Sequence, residues 1–252
     1  ERFRVNVFQQ QRGWSAVFRH MPTQPLSFET LGVPVMVQDL TRFKQGLVLI
    51  CGATGSGKSS TLAAMVHALN TTCATHIVTL EDPIETVHES QLGLVHQREL
   101  GRDISYFASG LHAALREDPD VIMVGELRDV DSIRLALTAA ETGHLVLATL
   151  HTASAPRAVQ RILDVFPAEE KELVRVQLAD SLQAVVAQQL LPKHGGGRSL
   201  ACEVMCATPA VRALIREGKV AQLPNALQSG SREGMQTMDQ AIQQLKTQGV
   251  LA

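Results

Sequence analysis

The chain has 252 residues, of which 45% are hydrophobic, and a formal net charge of −2. This composition is typical of a globular protein, and the length suits one large or two smaller domains. The near-neutral charge and the lack of a long basic tract argue against nucleic acid as a partner. No apolar run approaches the ~20 residues that cross a bilayer, so we expect no direct insertion into a membrane.

The first residues alternate apolar and polar side chains and predict two strands, 3–8 and 15–18, with Gly13 in the turn between them. The chain starts with Glu1 rather than a methionine, and the first predicted strand begins almost at once. We therefore interpret residues 1–22 as the remnant of a truncated N-terminal domain.

Prolines at positions 22 and 25 interrupt regular structure and predict a linker over residues 23–30. Residues 31–252 then form the second predicted domain, whose last part, from about residue 198, is expected to be helical.

In the second domain, short apolar runs alternate with helical patterns, which indicates a parallel sheet covered on both faces. The predicted strands are 47–51, 75–80, 121–124 and 144–150. The predicted helices begin with one at Ser60 and continue at 105–116, 132–142, 169–191, 210–217, 220–228 and 237–248.

A glycine-rich loop lies between the first of these strands and the helix that opens at Ser60. It matches G-x-x-x-x-G-K-[ST] at every fixed position. Its backbone N–H groups can form an anion nest, Lys58 can reach the β- and γ-phosphates, and the Ser59 hydroxyl can ligate Mg²⁺. We therefore predict binding of ATP with Mg²⁺, by Gly52, Ala53, Thr54, Gly55, Ser56, Gly57, Lys58, Ser59 and Ser60.

Two glutamates follow predicted strands, and the carboxyl ends of parallel strands are where ligands collect. Glu81 and Glu126 are thus candidates for the carboxylate that orients the attacking water in phosphoryl transfer. Gly125 occupies the position where many P-loop ATPases carry a magnesium-binding aspartate. Glu126 is therefore expected to serve either the metal, together with Ser59, or the water, and Glu81 the other role.

Two histidines, His144 and His151, flank one predicted strand. We expect both to converge on the phosphates with the two glutamates and to sense the γ-phosphate, because a neutral imidazole can hydrogen-bond a phosphate or a carboxylate. No obvious arginine finger lies in the loops of the core. The N-terminal segment is instead rich in arginines, which would act from a neighbouring subunit of a ring: Arg2, Arg4, Arg12 and Arg19.

The cysteines give no sign of a metal site. Cys202 and Cys206 lack the paired C-x-x-C spacing of zinc ligands, and no histidine cluster stands nearby. With an intracellular type of nucleotide site, the thiols are expected to be reduced, and the compartment is expected to be the cytoplasm.

Four motifs occur in order: GATGSGKSS, TLEDPIE, LREDPDVIMVGELRD and TGHLVLATLHT. Together they resemble the PilT family, the type IV pilus retraction ATPases of the secretion ATPase superfamily. The similarity continues through 165–171 and 234–237, so it spans nearly the whole chain.

The resemblance implies an α/β fold with a RecA-like P-loop ATPase core, a parallel-rich sheet and a helical C-terminal part, preceded here by part of a PAS-like α+β domain. It also implies a homohexamer that hydrolyses ATP to retract a pilus, located in the cytoplasm at the inner membrane through a pilus platform protein. By motif, Glu81 resembles the acidic-box glutamate and Glu126 the Walker B glutamate. His144 and His151 resemble the family's two histidines, and Arg4 and Arg19 the arginines that reach the nucleotide.

Residues 210–217, AVRALIRE, resemble the AIRNLIRE helix associated with retraction, with Val211 and Ala213 as departures. A generic amphipathic helix is the alternative. Related ATPases of pilus extension or type II secretion commonly carry a four-cysteine zinc module, for which this chain lacks the spacing. An accessory PilT-like subunit, a RecA-like DNA motor and a non-hydrolysing ATP-binding module are further alternatives.

Overall fold

The structure, a computed structural model, describes residues 1–21 and 24–251. Its N-terminal segment is an antiparallel hairpin of β1 (Arg2–Gln10) and β2 (Gly13–Met21), which confirms the two predicted strands and extends both. Pro22 and Thr23, where the predicted remnant meets the predicted linker, lie outside the described residues.

Seven strands form the central sheet, in the order β5-β4-β6-β7-β3-β8-β9. All pair in parallel except β9, which is antiparallel to β8 at one edge. The prediction of an α/β fold with a mostly parallel sheet is confirmed. The strands are β3 (Gly46–Cys51), β4 (His76–Glu81), β5 (Leu94–Glu99), β6 (Val121–Val124), β7 (Leu145–Leu150), β8 (Leu182–Pro192) and β9 (Arg198–Cys206).

Helices cover both faces of this sheet. They are α1 (Phe28–Leu31), α2 (Val35–Asp39), α3 (Lys58–Thr72), α4 (Phe107–Ala114), α5 (Val130–Glu141), α6 (Ala155–Asp164), α7 (Lys171–Ser181), α8 (Pro209–Arg216), α9 (Leu223–Ser229) and α10 (Met238–Thr247). Among the described residues, none of these helices has both the length and the apolar character that a membrane span requires.

Two hydrophobic layers follow from the alternation of side chains along the strands. On one face, Ile50 of β3 belongs to a buried cluster with Met65 of α3. On the other face, Leu49 belongs to a second buried cluster with Ile133 of α5. Because the central strands are buried on both sides, they consist of nearly continuous apolar runs, which is why the sequence identified them.

The predicted helix over 169–191 is wrong in its second half. Helix α7 ends at Ser181, and the backbone becomes extended at Leu182, where β8 begins beside β3. A buried apolar run fits an interior strand and a buried helix equally well by periodicity. The β-branched pair Val185 and Val186, both fully buried, favours the strand.

The expectation of a helical region from residue 198 onward is also corrected, because β9 occupies its start and pairs with β8. Beyond β9, helices α8 to α10 agree with the predicted helical segments. Strand β5 and helix α6 were not predicted. Strand β5 is polar and lies at the sheet edge, so it lacks the apolar run that marked its neighbours.

Candidate active site

The glycine-rich loop connects β3 to α3 and adopts a backbone that requires glycine at two points. Gly52 has φ +145°, and a Cβ built there would lie 2.5 Å from Ser56 Oγ and 2.6 Å from the Gln188 carbonyl oxygen. Gly57, with φ +93°, is the N-cap of α3. Only a residue without a side chain fits such a left-handed, crowded turn without strain.

Lys58 is the first residue of α3, and its side chain folds back over the loop. Its Nζ donates to the carbonyl oxygens of Gly52 at 2.8 Å and Ala53 at 3.1 Å. Burial lowers the pKa of Lys58, and the charge of Glu126 opposes that shift. The ammonium is thus held over the loop by carbonyl contacts that an anion can replace.

The loop fits a triphosphate. The first N–H groups of a helix have no partner within the helix, and those of α3 face the loop that Lys58 spans. The Ser56 hydroxyl is buried and has no hydrogen-bond partner among the residues that the structure describes. The adjoining cavity has a volume of about 490 Å³ and is lined by Lys58, Ser59 and Ser60 among others, a size typical of ligand sites.

The oxygen ligands near the loop fit a magnesium site that phosphate and water complete, rather than a site built by protein side chains alone. Within residues 1–21 and 24–251, no group of three histidine, cysteine or acidic side chains is arranged to hold a metal. Mg²⁺ usually binds one or two protein oxygens together with phosphates and water. Ser59 and Glu126, which both line the cavity, match that requirement.

Glu81, the last residue of β4, is buried beside the cavity with a directed set of contacts. Its Oε1 accepts hydrogen bonds from Thr79 Oγ1 at 2.7 Å and from Gln97 Nε2 at 2.9 Å. Burial raises the pKa of Glu81, and these two donors oppose the rise. A carboxylate with a raised pKa is a stronger base than an exposed one.

Glu126 follows β6 and lies between a histidine and an arginine. Its Oε1 is 3.3 Å from His151 Nε2, and Arg128 Nε donates to its Oε2 at 2.6 Å. Arg128 Nη1 also lies 3.7 Å from Asp82 Oδ2. Glu126 is therefore oriented from both sides, while the arginine links the ends of β6 and β4.

His151 follows β7 and contacts both Glu126 and Lys58. Its Nδ1 lies 3.5 Å from Lys58 Nζ. Because an ammonium can only donate, Nδ1 acts as the acceptor, and Nε2 carries the hydrogen that faces Glu126. This neutral tautomer joins the loop lysine to the carboxylate after β6.

Gly125 is packed tightly against the end of β4. Its N–H donates to the Leu80 carbonyl oxygen at 2.7 Å, and an added Cβ would lie 3.1 Å from that same oxygen. The Thr149 hydroxyl donates to the Gly125 carbonyl. A side chain at this position would require the backbone at the end of β4 to shift by a few tenths of an ångström.

His144 does not join this group, and the expectation that it converges on the phosphates is wrong. It precedes β7, whose six residues separate its two ends by about 20 Å. Its Nδ1 lies 3.0 Å from the Ala139 carbonyl oxygen, near the end of α5. The start and the end of a parallel strand lie at opposite edges of a sheet, so only His151 reaches the cavity.

Arginines reach the cavity from the hairpin and from the core. Arg19 of β2 lines it, and Arg4 is the cross-strand partner of Arg19. The core also contributes Arg128 and Arg198 to the lining, neither of which the sequence singled out. The sequence missed Arg198 because strand β9 was not predicted.

Two residues of the AVRALIRE segment, Val211 and Ile215, are fully buried in α8. On the same helix, Arg212 donates from Nη1 to the Asp180 carbonyl oxygen at 2.8 Å and from Nη2 to Gln183 Oε1 at 3.3 Å. A cation at a helix C-terminus stabilises its last carbonyl groups. Arg212 therefore joins α8 to the junction of α7 and β8.

The family model described as "Type II/IV secretion system protein" matches residues 1–251. The chain belongs to the type II/IV secretion system protein family. Within this family, the type IV pilus retraction ATPase PilT of Pseudomonas aeruginosa is 55% identical over 251 residues, covering 100% of this chain and 73% of that protein. A twitching motility protein of Neisseria gonorrhoeae is 55% identical over 252 residues, covering 100% of this chain and 67% of that protein.

Among solved structures, a crystal structure of the pilus retraction motor PilT with bound ADP matches with a TM-score of 0.92 and 47% identity. The match covers 99% of this chain and 71% of that chain. The resemblance to PilT drawn from the four motifs is confirmed, as is the enzyme class of a secretion-family ATPase.

Proposed function

We propose that this protein is a Mg²⁺-dependent ATPase whose hydrolysis of ATP powers the retraction of a type IV pilus. The observation that carries the proposal is the convergence of Lys58, Glu81, Glu126 and His151 on one cavity beside the glycine-rich loop. The relatives named for pilus retraction and twitching motility support pilus retraction as the process that hydrolysis drives.

The loop residues 52–60 bind the triphosphate, with Lys58 moving its contacts from loop carbonyl oxygens to phosphate oxygens. Ser59 and Glu126, which line the cavity, would hold the metal. When bound, Mg²⁺ would supply positive charge that offsets the negative charge developing during transfer. Since His151 contacts both Lys58 and Glu126, it detects whether a γ-phosphate has drawn Lys58 away from the loop.

Glu81 orients the attacking water and accepts its proton. The water oxygen forms a bond to the γ-phosphorus while the bond from that phosphorus to the β–γ bridging oxygen breaks. The raised pKa of Glu81 suits this role, because a base is most effective when its pKa approaches the working pH. A buried, oriented carboxylate at this point favours hydrolysis over a non-hydrolysing ATP-binding module.

Arg19 supplies positive charge from the N-terminal hairpin, with Arg4 beside it on β1. We assign residues 1–22 to a PAS-like domain, 23–30 to a linker and 31–252 to a RecA-like ATPase domain. Subunits of this kind form a homohexamer in the cytoplasm that acts on an inner-membrane pilus platform protein. Nucleic acid and direct membrane insertion have no part in this function.

The test is the rate of phosphate release per subunit, measured with Mg²⁺ or with a chelator over a wide range of protein concentration and paired with sizing. We expect turnover that requires Mg²⁺ and rises with concentration as rings assemble. A chain that binds ATP without turnover at any concentration would contradict the proposal. A flat rate from a species that sizing shows to be monomeric would contradict the ring alone.

A further inference from the structure

Gln97 lies in β5, in register with Thr79 of the neighbouring strand β4. Residues in register on adjacent parallel strands share a face, and Glu81 shares it too because it stands two positions after Thr79. The half-buried Gln97 side chain therefore lies next to the carboxylate at the end of β4.

The amide group of Gln97 makes three hydrogen bonds. Its Nε2 donates to Glu81 Oε1 at 2.9 Å and to the Thr86 carbonyl oxygen at 2.9 Å. Its Oε1 accepts from the His88 N–H at 2.7 Å. Both hydrogens of the amide and its carbonyl oxygen are thus engaged, so the side chain has one defined orientation.

These contacts orient the carboxylate as well. The two side-chain donors, Thr79 Oγ1 and Gln97 Nε2, both end on Oε1 of Glu81. Within the described part of the chain, no side chain hydrogen-bonds Oε2. Oε1 is therefore fixed by two side chains, the Glu85 backbone also acts on the carboxylate and lowers its pKa, and Glu81 as a whole lines the cavity.

We propose that Gln97 is a positioning residue for Glu81, holding Oε1 so that Oε2 meets the attacking water. This inference rests on the proposed ATPase function. A neutral amide suits the task because it fixes the carboxylate without the full charge of an arginine or lysine, which would stabilise the ionised form and weaken the base.

The loop after β4 gives Gln97 a second, structural contact, through Thr86 and His88. A merely structural role would lower stability and turnover together, without changing the ionisation of Glu81. The pH profile of turnover separates the two roles, because a donor to the ionised carboxylate lowers its pKa. Glu99 of β5 is in register with Glu81. Besides Glu81, the charged or titratable groups of the described residues that line the cavity are Glu85, His88, Asp82, Lys58, Glu126, Arg128, His151, Arg19 and Arg198.

The experiment compares wild type with Gln97→Met, Gln97→Asn and Thr79→Val in Mg²⁺-dependent ATP hydrolysis across pH. Met keeps the length but removes the donors, and Asn keeps an amide too short to reach. Thr79→Val removes the other donor to Oε1 without touching the loop. Ser90→Ala is the matched control, because Ser90 accepts from the Val95 N–H in the same region but does not contact Glu81.

For both Gln97 variants we expect kcat to fall about tenfold or more and KM for ATP to stay within about twofold. The acidic limb of the profile should move up by about one pH unit, the effect of losing one hydrogen bond to a charged group. Thr79→Val should move the limb in the same direction. Ser90→Ala should leave it in place.

An unshifted limb in Gln97→Asn and Gln97→Met, with kcat unchanged or lowered only as in Ser90→Ala, would overturn the inference. If Gln97→Met does not fold, the kcat and acidic limb of Gln97→Asn and the acidic limb of Thr79→Val test the inference by the same criteria. Active wild type with unaffected Gln97 variants would contradict this inference alone. Inactive wild type that binds ADP would contradict the ATPase function on which it rests.

Discussion

The two edges of the parallel sheet carry similar residue types and use them differently. At the carboxyl edge, His151 contacts both Lys58 and Glu126 beside a cavity that Glu81 also lines. Lys58 begins α3, and the other three residues end or follow three different strands, so these contacts link separate elements.

At the amino edge, comparable polar groups are used for the fold itself. The His144 ring lies against the Ala139 carbonyl oxygen, and Asp120 Oδ2 accepts from the His76 N–H at 2.7 Å. Helices begin after the carboxyl ends of the parallel strands, so the unpaired N–H groups of helix N-termini lie at that edge of the sheet, where ligands bind. Residue type and proximity to a strand do not by themselves indicate function. The edge of the sheet at which the residue lies must also be known.

The largest effect that the comparison predicts is for Lys58→Ala. It removes the ammonium that faces the phosphates, and hydrogen bonds to charged groups contribute about 1.5–3 kcal/mol each. Affinity for Mg²⁺-ADP should fall by about 100-fold or more, measured by calorimetry. The control is Lys44→Ala, because Lys44 is exposed beside the amino edge, and this variant should bind normally. Equal affinity in both variants would contradict the difference between the two edges.

Glu126→Gln should retain nucleotide binding and lose most turnover. Under the proposed function, the amide keeps the shape but removes the charge that would bind the metal, so we expect phosphate release to fall about 100-fold. Glu141→Gln is the matched control, since this carboxylate at the end of α5 contacts only the Gln177 amide within the described chain. Unchanged turnover in Glu126→Gln would remove Glu126 from the mechanism.

The two histidines give the sharpest contrast. His151→Ala should lower turnover about tenfold, because Lys58 and Glu126 lose their common neighbour. His144→Ala should leave nucleotide affinity unchanged and lower the free energy of unfolding by about 0.5–1.5 kcal/mol, the usual contribution of a hydrogen bond. Denaturant melts and ADP titrations on both variants measure this, and the reverse pattern would contradict the assignment of the edges.

The smallest effect concerns the stability of Glu81→Gln. Burial raises the pKa of Glu81 in the folded state, so its contribution to stability is present at low pH and is lost as pH rises through the folded pKa. At neutral pH the neutral glutamine should therefore raise the melting temperature slightly, although turnover is lost. A lower melting temperature at neutral pH would show that the ionised carboxylate stabilises the fold.

The sequence predicted those parts of the site that depend on contiguous residues. The loop from Gly52 to Ser59 carries its whole pattern in eight positions, and Glu81 and Glu126 follow apolar runs that mark buried strands. What it missed depends on pairing between distant segments. Gln97 lies on a polar edge strand without an apolar run, and Arg198 lies on a strand whose partner was mistaken for helix.

His144 illustrates a different limit. Its position beside an apolar run is as evident from the sequence as that of His151, yet the two lie at opposite ends of one parallel strand. Only the direction of the chain through the sheet, which the pattern of strands and helices already implied, separates them.

The most direct test of the difference between the edges is backbone hydrogen exchange with and without Mg²⁺-ADP. We expect the nucleotide to slow exchange in residues 52–60, 81–88 and 149–151, and to leave 73–76 and 142–146 unchanged. Slowed exchange at the amino edge, with none in the glycine-rich loop, would contradict the assignment of nucleotide chemistry to the carboxyl edge.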